Sequence, residues 1–249
     1  MDYKADIGVF GGSGFYSFLE DVEEIDIETP YGSTSEKISL AKTGGKTVAF
    51  LPRHGKKHSF PPHMIPYRAN VYAMKMLGVK HIIAPTASGS LQAGIKPGEF
   101  VICDQFVDRT WGRKDTYFEG PETKHISAAM PYDENLRNLA IKACEEAGVT
   151  VHKKGTVVVI QGPRFSTKAE SRWFSKMGWE VINMTQYPEC ILANELNIPY
   201  VNISLITDYD AGLEGDENIK PVTEEEVYRV FNENNEKVKK VIYKMIEQL

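Results

Sequence analysis

Two carboxylates stand two residues apart at the end of an apolar run. Asp208 and Asp210 close the stretch YVNISLITDYD, residues 200–210. Val201, Ile203, Leu205 and Ile206 are the branched side chains that a covered, pleated strand buries. In extended backbone, residues two apart point to the same side. The pair is therefore expected to project together from the C-terminal edge of a core strand, where open α/β sheets bind their ligands. Asp is also a common turn residue at strand ends, and that reading stands beside the functional one.

Other apolar runs end in polar side chains of complementary chemistry. Residues 7–10 run into Gly11-Gly12-Ser13-Gly14, a turn whose free N–H groups and single hydroxyl, Ser13, suit a small anion such as phosphate. A dinucleotide fingerprint starting at Gly12 would need glycine where Ser17 stands, and no Gly-Lys-Ser/Thr follows for a P-loop. A plain tight turn is the alternative. Residues 46–51 lead into Arg53-His54. The guanidinium is a planar fork for an oxyanion, and the imidazole a donor that switches near neutral pH. His54 and His58 are four apart, but Gly55 interrupts a helix and no carboxylate sits beside them, so no metal site is expected. Residues 79–85 precede Thr86-Ala87-Ser88-Gly89-Ser90, a third candidate anion loop. Residues 155–160 lead to Phe165-Ser166, and residues 180–183 to Met184-Thr185.

These ends are expected on one edge of one sheet. Ser13, Arg53, His54, Thr86, Ala87 and Thr185 suit an oxyanion. Phe165, Met184 and the acid pair suit a flat heterocycle bearing N–H groups. Together they suit phosphate beside a nucleoside.

The elements that must position these residues alternate. Helices are expected over residues 66–77, 133–147, 167–178 and 188–195, with a last one opening at Thr223. Thr167/Glu170 and Thr223/Glu226 have the spacing of capping boxes. Cys144 falls on the buried stripe of its helix, which argues against a nucleophile. Residues 99–106 read as a strand, residues 108–122 as a long excursion and residues 212–221 as a polar loop. The pattern predicts an α/β fold: one domain over residues 1–249 with a largely parallel or mixed twisted sheet flanked by helices. The chain has 249 residues, 42% hydrophobic and 25% charged, with net charge -5. That balance points away from nucleic acid and anionic membrane surfaces. Three scattered cysteines suggest reduced thiols, and no signal or membrane-spanning segment is visible, so a cytoplasmic protein is expected.

The stretches GGSGFY, LPRHGKKH, YRANVYAMK, PTASGSL, KPGEFVICDQFVDRT, GPRFSTKAESRWF, INMTQYPE and ITDYD follow one another over nearly the whole length. In this the chain resembles the trimeric purine nucleoside phosphorylase / 5'-methylthioadenosine phosphorylase family. The resemblance implies phosphate-dependent cleavage of a purine nucleoside, with inorganic phosphate as co-substrate and no other cofactor. It implies phosphate contacts from Ser13, Arg53, His54, Thr86, Ala87 and Thr185. Met184 would lie under the ribose, Phe165 against the base, and Ser166, Asp208 and Asp210 around a 6-aminopurine, with Asp208 and His54 in the chemistry. His125, by itself an unremarkable lone histidine, would serve a neighbouring subunit's 5' pocket, which implies a homotrimer or a dimer of trimers. Near the start of the last helix methylthioadenosine phosphorylases carry an apolar residue, where this chain has Glu224, three before Val227. Methylthioadenosine is the expected substrate, and 5'-hydroxyl nucleosides such as inosine and guanosine are the alternative.

Overall fold

The computed structural model describes residues 3–213, 216 and 218–249; part of the expected loop 212–221 therefore lies outside the described residues. The chain runs β1 (Ile7–Gly11), β2 (Glu23–Ile25), β3 (Glu28–Thr29), β4 (Gly32–Ser33), β5 (Ile38–Thr43), β6 (Lys46–Pro52), α1 (Tyr67–Met76), β7 (His81–Ser90), β8 (Phe100–Val101) and β9 (Gln105–Arg109). It continues α2 (Glu134–Ala147), β10 (Val151–His152), β11 (Thr156–Ile160), α3 (Lys168–Lys176), β12 (Val181–Asn183), α4 (Gln186–Glu195), β13 (Tyr200–Asp208) and α5 (Glu224–Gln248).

An α/β fold with a mixed sheet results, as the alternation predicts. The main path is β10-β8-β13-β7-β1-β6-β5-β2. β1, β6, β7 and β13 pair in parallel at its centre, while β5 and β2 add an antiparallel edge. β13 divides its side chains between two cores. Val201, Ile203 and Leu205 pack with Leu136 of α2 and Phe231 and Val241 of α5. Tyr200 and Ile206 pack with Val71 of α1 and Leu192 of α4.

The caps read in the sequence are formed in different degrees. Thr167 and Glu170 make both bonds of a capping box at α3. At α5 Thr223 accepts from Glu226 N–H, the first half of that arrangement.

Two expected boundaries shift. β7 does not stop at Pro85 but continues through Thr86–Ser90, so the expected loop is strand: Thr86 pairs Ser204, Ala87 pairs Leu205 and Ser88 pairs Ile206. At its end β7 is flanked on both sides, by Asp208 of β13 and by Ile182 of the antiparallel β12. A Cβ on Gly89 would stand 2.8 Å from Asp208 Oδ1 and 2.9 Å from the Ile182 side chain, so only glycine fits there. The expected strand over 99–106 is two strands, because the chain leaves β13 after β8 and joins β11 as β9.

Candidate active site

The ends of β1, β7, β12 and β13, together with the start of α5, enclose a cavity of about 280 Å³. Ser13, His54, Thr86, Ala87 and Thr185 form one end of its wall. Phe165, Met184, Asp208 and Asp210 form another part, and Glu224 and Val227 a third. Eleven sequence-selected residues thus meet around one space.

 The sheet order β13-β7-β1 brings Ser13, near the start of the chain, towards Asp208 at the end of β13.

At the first end, Ser13 sits in the turn after β1. Gly14 in that turn has φ +78°, and a Cβ on it would meet the Phe231 ring at 2.8 Å, so close packing on α5 fixes the turn. Thr185 occupies the N-cap position of α4, yet its hydroxyl makes no capping bond. The hydroxyl is therefore left for a ligand; Tyr187, with φ −106° and ψ 134°, breaks the helix just behind it, so no regular helical turn faces the cavity here.

His54 differs from the expected switchable donor. Burial, and then the neighbouring His58, push its pKa down to about 3, so the ring is neutral at any working pH. Its Nδ1 lies 2.8 Å from the Phe60 carbonyl. A carbonyl only accepts, so Nδ1 carries the proton and Nε2 is an acceptor. His54 can receive a proton-bearing oxygen but cannot supply positive charge.

Arg53 is not in the wall. It is fully buried, and its Nε and Nη2 pair with Glu189 at 2.6 and 2.8 Å. Its Nη1 donates to the carbonyls of Phe10 and Pro85, each at 3.0 Å. The expected oxyanion fork thus braces β1, β6, β7 and α4 from behind the Gly12 turn. Glu189, fully buried on α4 and also bonded by the Tyr200 hydroxyl at 2.8 Å, is the partner that sequence reasoning missed. No periodicity marks a buried Glu whose partner lies 136 residues away.

The two acids meet at the opposite part of the cavity. Asp208 Oδ2 accepts from the Thr207 hydroxyl, and its Oδ1 from the Asp210 N–H, both at 2.7 Å. Burial is the main cause that raises its pKa to about 6, against those two hydrogen bonds. Asp210 does not continue the strand: its φ is +49°, and the register slips between Ile206 and Asp208. Burial raises its pKa too, opposed by the hydroxyls of Ser171 and Ser166 beside it. Ser166 is thus a neighbour of Asp210 and not part of the cavity wall. Asp210 Oδ2, Ser166 Oγ and Asn183 Oδ1 are buried with no well-formed hydrogen bond in the protein. Buried polar atoms are nearly always paired, and of these three residues Asp210 and Asn183 line the cavity, where their oxygens suit a ligand with its own donors.

The third part of the wall holds residues that were overlooked. His58, φ +52°, stacks on His54 with ring centroids 4.2 Å apart. Its Nδ1 lies 2.9 Å from the Tyr16 hydroxyl, which lies 3.2 Å from that of Tyr228. Burial holds the His58 pKa below its usual value, while the charge of Glu224 pulls it back up. His58 and Tyr228 line the cavity with Glu224 and Val227. In sequence His58 reads as part of a basic stretch and as a metal partner of His54, and Tyr228 stands next to the selected Val227. Among the described residues no group of three or more His, Cys, Asp or Glu is placed to hold a metal ion.

His125 is exposed and lies outside the cavity. Cys103 and Cys144 are buried, and burial pushes both thiols up to about 12, so neither is a thiolate near neutral pH. Among the described residues no helix is long and apolar enough to cross a membrane.

The profile of the Phosphorylase superfamily matches residues 6–247. An S-methyl-5'-thioadenosine phosphorylase of Hyperthermus butylicus is 50% identical over 249 residues, 99% of this chain and 89% of that one. A purine nucleoside phosphorylase of Streptomyces coelicolor is 45% identical over 254 residues, covering 99% of this chain and 90% of its own. Among solved structures, the methylthioadenosine phosphorylase of Schistosoma mansoni in complex with adenine superposes with a TM-score of 0.92 at 34% identity, over 98% of this chain and 92% of that one.

Proposed function

Since the chain belongs to the phosphorylase superfamily, we propose that it cleaves the N-glycosidic bond of 5'-methylthioadenosine with inorganic phosphate, giving adenine and 5-methylthioribose 1-phosphate. One observation carries the reading. A single cavity has neutral hydroxyl donors at one end and a buried carboxyl of raised pKa at another, spaced by Phe165 and Met184.

In this reading phosphate lies against Ser13, Thr86, Ala87 and Thr185, and His54 Nε2 accepts from a hydroxyl of the sugar or of protonated phosphate. Arg53 supports this end from behind. As the glycosidic bond lengthens, the sugar gains oxocarbenium character. The phosphate anion beside it stabilises that charge and then attacks the anomeric carbon, so the protein contributes placement and fixed dipoles.

The departing base is helped by a proton on N7. Asp208, with a pKa of about 6, is suited to hold that proton. A protonated carboxyl presents one donor and one acceptor. That pair matches N7 and the N6 amine of a 6-aminopurine, whereas a 6-oxopurine offers acceptors at both positions. Asp210 would receive a remaining base N–H group or steer Asp208, with Ser166 beside it.

The test is product identification: adenine by chromatography and a sugar 1-phosphate by phosphorus NMR, with phosphate as the only co-substrate. Free methylthioribose in place of its 1-phosphate would mean a hydrolase.

A second reading concerns the 5' end. Glu224 and the His58, Tyr16 and Tyr228 cluster give that part of the wall polar groups that a methylthio group does not need. They favour nucleosides with a 5'-hydroxyl, so adenosine is proposed as an additional substrate. The protein is further proposed to act as a trimer or a dimer of trimers, with His125 completing a neighbour's 5' pocket. The exposed side chains of Trp111 and Met130, in the same irregular segment between β9 and α2, support a partner surface there.

A further inference from the structure

Behind the Thr86 hydroxyl lies a chain of buried amides and hydroxyls whose proton directions can be worked out. It begins at a backbone carbonyl. Asn202 Nδ2 donates to the Ala84 carbonyl at 2.9 Å, and since a carbonyl cannot donate, the orientation of the Asn202 amide is fixed. Its Oδ1 accepts from the Ser204 hydroxyl at 2.7 Å. The second N–H of the same nitrogen points to Thr86 Oγ1 at 3.0 Å. Asn202 and Ser204 are fully buried, and Thr86 is 3% exposed.

The remaining neighbours follow. Ser204 has given its only proton to Asn202, so it accepts from Ser88 at 3.1 Å and from Gln186 Nε2 at 3.4 Å. Ser88 has given its proton to Ser204, so within the network it can only accept from Thr86, 3.2 Å away. Thr86 Oγ1 thus receives an N–H from Asn202 and a longer one from Asn183 at 3.5 Å, and meets no hydroxyl that needs to donate to it. Its own proton must be given, to Ser88, to Ser204 at 3.4 Å, or into the cavity that Thr86 lines, and of these acceptors a charged phosphate oxygen is the strongest.

We propose that Asn202 is a positioning residue for the anion site: it holds Thr86 as an obligate donor, so that this corner of the cavity takes an unprotonated oxygen of phosphate. The inference rests on the reading above that phosphate occupies this part of the cavity. Asn202 acts only through Thr86 and touches neither substrate. A buried polar network fully satisfied in one direction is a rigid one, and reversing one member reverses the hydroxyl it controls.

The test is steady-state kinetics with phosphate varied at saturating nucleoside, and the reverse, for the full chain and for Asn202→Asp, Thr86→Val and the double variant. An aspartate at 202 offers only acceptors and draws the Thr86 proton away from the cavity. The expected result is a rise of about tenfold in KM for phosphate, with kcat and KM for the nucleoside changed by less than about twofold. In the Thr86→Val background, Asn202→Asp should add nothing to the phosphate KM. Asn202→Ala, which leaves the Thr86 proton uncommitted, should raise it by about threefold and gives the same comparison should the aspartate variant not fold. Thr86→Val by itself must raise the phosphate KM. The inference is overturned by an unchanged phosphate KM in any of these single variants, by equal rises in both KM values, or by additive effects in the double variant. Turnover of the unaltered protein that does not depend on phosphate would defeat the functional reading as well. Dependence with unresponsive variants defeats this inference alone.

Discussion

The backbone N–H of Asp210 donates to Oδ1 of Asp208 at 2.7 Å. The two acids of the cavity are therefore linked through the main chain, and the left-handed backbone of Asp210 is what aims that N–H. Such conformations are costly for residues other than glycine and tend to persist where the surroundings over-determine them. The link leaves the Asp210 carboxylate its own direction, with Oδ2 buried and unpaired. It also leaves Asp208 able to hold a proton, because its pKa remains raised despite the two bonds it accepts.

The pH dependence follows from that raised value. The proposed role needs Asp208 protonated, so kcat/KM for methylthioadenosine should fall about tenfold per unit as pH rises above about 6. Asp208→Asn should lose this limb and about two to four orders of magnitude in rate. A pH–rate series on both proteins checks it.

The same group has a stability signature of the same sign. Its folded pKa lies above the ordinary value of 3.8, so the folded state binds the proton more tightly than the unfolded chain does. Stability is then lost as pH rises from about 4 through about 6. Asp208→Asn should be more stable than its parent at pH 7, by about 1–3 kcal/mol, and no more stable near pH 4. Urea denaturation at both pH values measures this.

Breaking the buried Arg53–Glu189 pair should be expensive. Glu189→Gln leaves a fully buried guanidinium without its counter-charge and should cost about 3–5 kcal/mol. Exposed pairs such as Arg229–Glu233, whose side chains are more than half exposed, should cost under about 1 kcal/mol when broken. Chemical denaturation of the two variants distinguishes them.

At the 5' end, Glu224→Leu removes an acceptor from the wall beside Val227. The ratio of kcat/KM for methylthioadenosine to that for adenosine should rise by about tenfold, as expected when a hydroxyl loses a buried partner. An unchanged ratio would make Glu224 only the first residue of α5.

Residue type and strand ends made much of the site legible in the sequence. Thr185, Met184 and Phe165 could be singled out because each follows a recognisable β-branched run, and the sheet gathers such ends. Three features were not legible, for physical reasons. Arg53 looks the same in sequence whether its fork meets a ligand or a buried Glu189, since the partner is set by tertiary packing. His58 joins the wall through a positive φ that no spacing rule anticipates for histidine. Thr86–Ser90 reads as a loop from its small polar residues, yet those residues are what let β7 run between Asp208 and Ile182.

The measurement that tests the central claim most directly is the initial rate of adenine release from methylthioadenosine, with and without inorganic phosphate, alongside adenosine and inosine. The account predicts release that requires phosphate, with both 6-aminopurine nucleosides cleaved well ahead of inosine. Release without phosphate, or inosine as the preferred substrate, would contradict it.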